Sequence, residues 1–245
     1  MIFGLSFLPL RFTAAIDRML EMAHSDRAHS VSTCTVYTLM RACEDVTIRQ
    51  ALQDADLCTA DGMPLVWLLH QQGLPDAERV YGPDILHEMC RCTADLPIRH
   101  YFWGSTPETL ASLIARLQVL YPGLMICGAH SPPFIPQETV PNPETLRLIR
   151  AAQPHIVWVG LGSPRQDVWM QLYRPLLDVP LLVGVGAAFD FVSGRTRQAP
   201  RWMQRHGLEW LFRLIQNPRQ LARRYLVYNT KFLWRLAQGH WQDRC

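Results

Sequence analysis

The run His155-Ile-Val-Trp-Val-Gly-Leu-Gly-Ser-Pro-Arg-Gln-Asp167 decides the fold class. Its first six residues form an apolar stretch of strand length that ends in glycine. The rest carries the signals that open a helix, because Ser163 suits an N-cap, Pro164 the first helical position and Gln166 a capping box. A strand, a glycine turn and a helix in direct succession are typical of a parallel sheet covered by helices.

The same alternation extends along most of the chain. We therefore predict an α/β, Rossmann-like fold, with a mostly parallel sheet and helices on both faces. The predicted strands are residues 3–8, 30–34, 57–60, 98–103, 124–129, 155–160 and 181–185. The clearest predicted helices between them are residues 12–23, 106–121, 143–152 and 164–173.

Small or polar residues stand where several predicted strands end. They are Thr33, Asp61, Gly104, Gly160 and Gly186. In open α/β sheets, ligands bind beyond the carboxyl ends of the strands. We therefore expect these positions to converge on one cleft.

Charge is divided sharply between two parts of the chain. Residues 195–245 hold eleven of the 24 basic residues and two of the 21 acidic ones, a net charge of +9, whereas residues 1–194 carry −6. The tail also has helical rather than strand periodicity. We predict an α/β domain over residues 1–194 and a helical appendage over 195–245, with helices at 198–213 and 218–237.

The appendage mixes arginines with large apolar side chains. Its aromatic residues include Trp202, Trp210, Phe212, Tyr225, Phe232, Trp234 and Trp241. Such a mixture suits a surface that meets an anionic layer with an apolar layer behind it. An anionic membrane surface and a nucleic acid both remain open on this pattern alone.

Other patterns narrow the class of protein. No stretch approaches twenty uninterrupted apolar residues, so no spanning helix is predicted. Residues 1–10 lack a basic segment and a cleavage site, which favours a first strand over a signal peptide. Seven scattered cysteines without a C-x-x-C pair indicate reduced thiols in a cytosolic protein, and the histidines show no zinc-binding motif.

The glycine turn at 160–167 has two interpretations. It caps a helix, or its backbone N–H groups, including that of Gly162, bind a phosphate at the helix N-terminus. Asp61 lies directly after a strand, where it is either a turn residue or a general base that takes a proton from a hydroxyl. Asp190 is equally a helix cap or a ligand contact.

Six segments in sequence resemble one family. They are TADG at 59–62, ERVYGPD at 78–84, GLGSPRQD at 160–167, GVGAAFD at 184–190, QAPRWM at 198–203 and GLEWLFR at 207–213. The chain resembles the WecG/TagA/CpsF glycosyltransferases, glycosyltransferase family 26, from about residue 30 to about residue 228.

The resemblance implies an enzyme. Its substrates would be a nucleotide-sugar donor, in most cases UDP-linked, and a polyprenyl-diphosphate-linked acceptor saccharide. The transfer would invert the anomeric centre, need no metal or other cofactor, and serve the synthesis of bacterial surface polysaccharide or teichoic acid. It implies a cytoplasmic protein, peripheral on the anionic inner face of the cell membrane, with no nucleic acid partner. Whether copies form a homo-oligomer stays open.

The resemblance also implies residue roles. Asp61 matches the general base, Arg79 a site arginine, Gln166 a polar residue near the sugar or nucleotide, and Thr33 a threonine after an early strand. Thr35 stands where the family commonly has asparagine, which changes the expected contact to the sugar.

Further substrate contacts are expected elsewhere. Gly162 and Asp190 would also contact a substrate. Arg213 and Arg223 match basic positions of the family's tail, where guanidinium groups would bind a diphosphate once the tail folds over the cleft. Asp167 replaces the glutamate that is usual in the family.

Two other classes of function compete with this one. One is a non-enzymatic nucleotide- or nucleic-acid-binding protein with an arginine-rich helical arm. The other is a membrane-docked scaffold whose site has decayed through the change at Thr35. Loss of transfer in Asp61→Asn with donor binding intact would separate an enzyme from a scaffold.

Overall fold

All strands of the central sheet run parallel. The computed structural model describes residues 1–134 and 138–239. The strands are β1 (His29–Cys34), β2 (Leu57–Ala60), β3 (Arg99–Gly104), β4 (Met125–His130), β5 (Ile156–Gly160) and β6 (Leu181–Gly184). They lie in the order β2-β1-β6-β5-β3-β4, and each neighbouring pair is parallel. The predicted α/β, Rossmann-like fold is confirmed.

Helices fill the connections between strands and form the appendage. In the described residues they are α1 (Phe12–Ala23), α2 (Val36–Ala42), α3 (Val46–Gln53), α4 (Met63–Gln71), α5 (Gly82–Thr93), α6 (Pro107–Leu120), α7 (Pro143–Ala152), α8 (Arg165–Tyr173), α9 (Ala188–Val192), α10 (Arg201–Arg205), α11 (Glu209–Gln216) and α12 (Pro218–Ala237). A parallel connection needs such a crossover, because consecutive strands cannot be joined by a tight hairpin.

The two faces of the sheet are covered by different helices. Ile156 and Trp158 of β5 pack with α1, α5, α6 and α9, whereas Val157 and Val159 pack with α7 and α8. Successive side chains of a strand point to opposite faces, so β5 reads as a continuous apolar run because both of its faces are buried.

The connections that leave β1 and β6, which are neighbours in the sheet, run to opposite faces. The helix that follows β1 is α2, and it packs on the face that α3 and α8 share. The helix that follows β6 is α9, and it packs on the opposite face. Because the two connections diverge, the edge between them is left open for a ligand.

The first predicted strand is wrong. Residues 2–5 instead make a tight turn, in which the N–H of Ile2 donates to Leu5 O at 2.9 Å and Phe3 has a φ of 47°. The apolar character of this segment reflects burial rather than strand pairing, since Ile2, Phe3 and Leu5 are all buried in one core cluster.

The single helix predicted at 198–213 is also wrong. The chain forms α10 and α11 there, and Gly207 between them adopts a left-handed φ of 69°. Glycine takes this conformation without the steric cost that other residues meet, so it ends one helix and redirects the chain into the next. The helix predicted at 218–237 is confirmed.

The appendage packs closely on the α/β part. Phe232 of α12 is buried and lies 6.2 Å from Phe3, ring centre to ring centre. The rings of Tyr228 and Tyr37 meet edge-to-face at 4.8 Å, and Lys231 pairs with Glu44. The predicted aromatic position Trp241 lies outside the described residues.

None of the helices formed by residues 1–134 and 138–239 is both long enough and apolar enough to span a bilayer. The free thiols belong to Cys34, Cys58, Cys90, Cys92 and Cys127, as predicted. Cys43 is disulfide-bonded, so the prediction of reduced thiols is wrong at that position.

Candidate active site

A cavity of about 720 Å³ lies between the carboxyl edge of the sheet and the appendage. The polar side chains of its lining include Thr35, Asp61, Arg79, Glu209, Arg213 and Arg224. The apolar side chains of its lining include Met63, Trp67, Trp210, Leu226, Leu233 and Leu236. The cavity therefore suits a ligand with a charged end and an apolar end.

Asp61 lines this cavity and directly follows β2. Its backbone N–H donates to Cys34 O at 3.0 Å, which ties it to the end of β1. Burial raises the pKa of Asp61 to about 6, and the charge of Glu209 acts in the same direction, while Arg79 and Arg213 oppose the rise. A carboxylate with this pKa is ionised at neutral pH and is a better proton acceptor than a solvated one.

Arg79 joins Asp61 to the appendage. Its Nε donates to the main-chain oxygen of Asp61, and its Nη2 lies 3.2 Å from Asp61 Oδ1 and 2.7 Å from Glu209 Oε2. The guanidinium group lies 3.9 Å from the centre of the Tyr81 ring, and the Tyr81 hydroxyl donates to Glu209 Oε1 at 2.8 Å. Burial alone would lower the pKa of Arg79, but Asp61 and Glu209 raise it, so it stays charged.

Two further arginines of the appendage line the cavity. Arg213 lies over the ring of Phe191 at 5.4 Å and opposes the rise that burial causes in the pKa of Asp190. Arg224 lies 4.1 Å from the centre of the Tyr37 ring, and burial lowers its pKa. Its Nε is buried and makes no hydrogen bond within the described part of the chain. These guanidinium groups can therefore receive an anionic ligand.

A second cavity, of about 520 Å³, lies beyond the ends of β3, β4 and β5. Trp103 stacks on His130 at 4.8 Å, and Arg165 lies 4.4 Å from the centre of the Phe134 ring. Gly160 lines the same cavity. Stacked aromatic rings beside an arginine suit a planar group that carries negative charge.

The family assignment follows from comparison with known proteins. The model of the glycosyl transferase WecG/TagA/CpsF family matches residues 1–245. The chain belongs to this family. One relative, from Bacillus spizizenii, is 31% identical over 172 residues, or 70% of this chain and 65% of its own length. Another, from Bacillus subtilis, is 26% identical over 219 residues, or 89% of this chain and 83% of its own length.

Both relatives are named N-acetylglucosaminyldiphosphoundecaprenol N-acetyl-beta-D-mannosaminyltransferase. The chain spans a little less than two thirds of the first relative's length and most of the second's. The resemblance that the sequence motifs carried is confirmed at the level of the WecG/TagA/CpsF family.

The structure brings together some of the predicted site residues of this family member. Asp61, Arg79, Arg213 and Thr35 all line the larger cavity. Thr35 also caps α2, because its Oγ1 accepts a hydrogen bond from Thr38 N at 3.2 Å.

Other predicted residues lie elsewhere. Thr33 is buried in the sheet, where its hydroxyl donates to Gly184 O at 2.8 Å and does not reach either of the two cavities. Arg223 is exposed, and its neighbour Arg224 lines the cavity in its place. Asp190 of α9 lies near Arg213 but lines neither cavity.

Gln166 holds two turns of the sheet edge together. It is fully buried, its Nε2 donates to Ser163 Oγ at 3.1 Å, and its Oε1 accepts from Gly186 N at 2.8 Å. The predicted capping box is wrong, since α8 begins at Arg165 and no side chain caps it. Gly162 has a left-handed φ of 80° and faces open space.

Tyr81, Glu209 and Arg224 are among the cavity residues that the sequence did not indicate as site residues. Glu209 carried a signal, because it is one of only two acidic residues in the basic tail and lies in the GLEWLFR segment. Its role depends on contact with residues 130 positions away in sequence, which no local pattern indicates.

No group of three or more His, Cys, Asp or Glu side chains within residues 1–134 and 138–239 is arranged to hold a metal ion. Metal-independent transfer stays a prediction.

Proposed function

We propose that the protein is an inverting glycosyltransferase that moves a sugar from a nucleotide-diphosphate donor to a polyprenyl-diphosphate-linked saccharide. The observation that carries this proposal is the placement of Asp61. A buried carboxylate with a raised pKa lies in a cavity whose lining combines arginines with large apolar side chains. The names of the relatives favour an N-acetylglucosamine-diphosphoundecaprenol acceptor and an N-acetylmannosamine donor.

Asp61 is the proposed general base. It accepts the proton of an acceptor hydroxyl while that oxygen attacks the anomeric carbon of the donor sugar. The new carbon–oxygen bond forms on the face opposite the nucleotide, and the bond to the donor diphosphate breaks with its electron pair on the leaving group. Negative charge therefore builds on the diphosphate, where nearby cations and N–H dipoles stabilise it.

The acceptor is proposed to occupy the larger cavity. Its diphosphate would contact Arg213 and Arg224, since guanidinium groups bind phosphate oxygens in a planar, bidentate manner. Its first isoprene units would lie along Trp67, Leu226 and Leu233. This arrangement places the saccharide end of the lipid toward Asp61.

The donor nucleotide is proposed to occupy the smaller cavity. The base would stack with the aromatic group that includes Trp103, His130 and Phe134. Gly160 of the glycine turn that follows β5 lines the same cavity. Gly162 of this turn has a left-handed φ and open space beside its α-carbon, so a diphosphate would approach its backbone closely.

The appendage is proposed to dock on the anionic inner face of the membrane. Its exposed apolar side chains are Trp202, Trp210, Leu211, Ile215, Leu226, Leu233 and Trp234, beside the exposed Trp67 of α4. Exposed apolar groups among basic residues favour a lipid surface, because duplex DNA offers phosphates without an apolar layer. The proposed location is therefore peripheral to the cytoplasmic side of the membrane.

The test is transfer by the full chain, followed as nucleotide release from a panel of UDP-sugars with N-acetylglucosamine-diphosphoundecaprenol as acceptor. Asp61→Asn should lower the turnover by on the order of a hundred- to ten-thousand-fold. Its affinity for UDP, measured by calorimetry, should stay near that of the natural protein. Absence of release with every donor, while UDP still binds, would favour the scaffold alternative and overturn the proposal.

A further inference from the structure

Glu209 links the appendage to the proposed general base through one arginine. The Nη2 of Arg79 lies between two carboxylates, 2.7 Å from Glu209 Oε2 and 3.2 Å from Asp61 Oδ1. The second oxygen of Glu209 accepts the hydroxyl of Tyr81 at 2.8 Å. All of these side chains are at least four-fifths buried, so water screens their interactions weakly.

We propose that Glu209 is a positioning residue for the transfer reaction: by holding Arg79 toward the appendage, it keeps Asp61 basic enough to accept the acceptor proton. This inference rests on the proposed function. The appendage that carries Glu209 would then take part in proton transfer as well as in membrane docking.

The basicity of Asp61 depends on how much positive charge lies beside its carboxylate. An arginine paired with a single carboxylate stabilises the ionised form, and so makes that carboxylate a weaker base. Glu209 takes the shorter of the two contacts to Arg79 Nη2, which divides the arginine between two anions. Its negative charge also acts directly on Asp61, in the direction that raises the pKa of Asp61.

Several elements around Asp61 contribute charged groups that act on it. Arg79 lies before α5, Glu209 and Arg213 belong to α11, and Arg224 belongs to α12.

Two further groups face Asp61. Burial raises the pKa of the Cys34 thiol on β1 and of the Tyr81 phenol, so both are neutral at pH 7. The carboxylate of Asp61 thus lies near three positively charged arginines, and the negative charge of Glu209 acts against their effect on its pKa. Without Glu209, burial alone would oppose the effect of the arginines on the pKa of Asp61.

The local chain geometry aims Glu209 at Arg79. Gly207 turns the chain between α10 and α11, and Leu208 N donates to Met203 O at 2.8 Å to close that turn. A β-carbon added to Gly207 would meet the Trp67 ring at 2.8 Å. The turn therefore seats α11 against α4, with Glu209 at the first position of α11.

The experiment compares pH profiles of kcat/KM for the full chain and for Glu209→Gln, which keeps the shape of the side chain and removes its charge. Activity depends on ionised Asp61 and rises as the pH passes its pKa. The acidic limb of Glu209→Gln should lie lower by roughly one pH unit, because a nearby charge shifts a carboxyl by about that amount. Activity above the limb should fall by roughly tenfold, since a weaker base transfers the proton less readily.

Three variants serve as comparisons. Tyr81→Phe removes a hydrogen bond of Glu209 but keeps its charge, so its acidic limb should stay in place. Glu209→Asp keeps the charge and should return the limb toward its original position. Glu88→Gln removes an exposed carboxylate of α5 that pairs with Arg91, and it should leave the profile unchanged.

A second readout is independent of transfer. The carboxyl carbon of Asp61 can be titrated by NMR in ¹³C-aspartate-labelled protein and assigned by its absence in Asp61→Asn. Its titration midpoint should fall in Glu209→Gln, even if no sugar is transferred under any condition. An unchanged midpoint in Glu209→Gln, or equal loss of activity in Glu209→Gln and Tyr81→Phe without a shift of the limb, would show a purely structural contact and overturn the inference.

Discussion

The side-chain oxygen of Gln166 accepts a hydrogen bond from the backbone N–H of Gly186 at 2.8 Å. Gln166 lies in the first turn of α8, after β5, whereas Gly186 follows β6. This bond therefore ties together two adjacent turns at the carboxyl edge of the sheet. The other end of the amide holds Ser163 in the glycine turn. The bond thus fixes the shape of the turn proposed to receive the donor diphosphate.

Gln166→Ala should therefore lower both stability and affinity for the donor. The substitution leaves the N–H of Gly186 without its partner, which costs about 1–3 kcal/mol of unfolding free energy when such a group is buried. Urea unfolding measures this cost, and the KM for the donor should rise. Gln171→Ala, which removes an exposed amide of the same helix bonded to Asp54, should cost less than about 0.5 kcal/mol.

Asp167 gives a pH-dependent prediction of stability. Burial raises the pKa of Asp167 to about 7. The nearby Ser32 hydroxyl acts in the opposite direction, although neither this hydroxyl nor the Asp167 carboxyl makes a regular hydrogen bond to the described residues. The folded state therefore holds a proton that the unfolded state has released between about pH 4 and pH 7. Stability contributed by the neutral carboxyl is fully present below pH 4 and is lost as pH rises through 7.

Asp167→Asn should remove this loss. The variant should be more stable than the natural protein at pH 8 by about 2–4 kcal/mol, because each unit of pKa shift corresponds to about 1.4 kcal/mol. Near pH 4 the two proteins should unfold at similar denaturant concentrations. A difference in stability that does not vary between pH 4 and pH 8 would contradict the prediction.

The core of the fold was predictable because its signals are local. A continuous apolar run of strand length marks β5, a period of 3.6 residues marks α7, and glycine marks the turn between β5 and α8. The segment 2–5 misled the prediction, since an apolar run shows burial without showing what the backbone pairs with. Gly207 lay inside a helical pattern, and only its left-handed conformation reveals that the helix ends there.

The site was predictable where a residue directly follows a strand, as Asp61 follows β2. It was less predictable where the position depends on how the appendage packs. Arg223 and Arg224 are adjacent in sequence and 100° apart around α12, so only the packed face of the helix decides which one reaches the cavity. Glu209 likewise acquires its role from long-range contact with Arg79 and Tyr81.

Arg224→Gln should therefore weaken binding of the acceptor more than Arg223→Gln does. Arg224 lines the cavity and its buried Nε makes no hydrogen bond to the described residues, whereas Arg223 is exposed. With a water-soluble, short-chain polyprenyl-diphosphate acceptor, the KM of Arg224→Gln should rise by roughly tenfold or more, as expected for loss of a charge-assisted contact of about 1.5–3 kcal/mol. A larger effect at Arg223 would restore the assignment made from the sequence.

Phe232 and Leu233 are adjacent residues of α12 with opposite surroundings. Substitutions at these two positions therefore distinguish packing of α12 within the protein from contact of α12 with a membrane. Phe232 is 4% exposed and packs beside Phe3, whereas Leu233 is 63% exposed. Phe232→Ala should lower the unfolding free energy by about 3–5 kcal/mol, the range for deleting a buried aromatic ring.

Leu233→Ala should leave the unfolding free energy nearly unchanged. It should weaken binding to vesicles of anionic phospholipid by several-fold, because it removes at most about 1.5–3 kcal/mol of apolar transfer free energy. Sedimentation with the vesicles measures this binding. If Leu233→Ala bound vesicles as tightly as the natural protein, and Trp234→Ala did as well, the exposed face of α12 would not be the membrane contact.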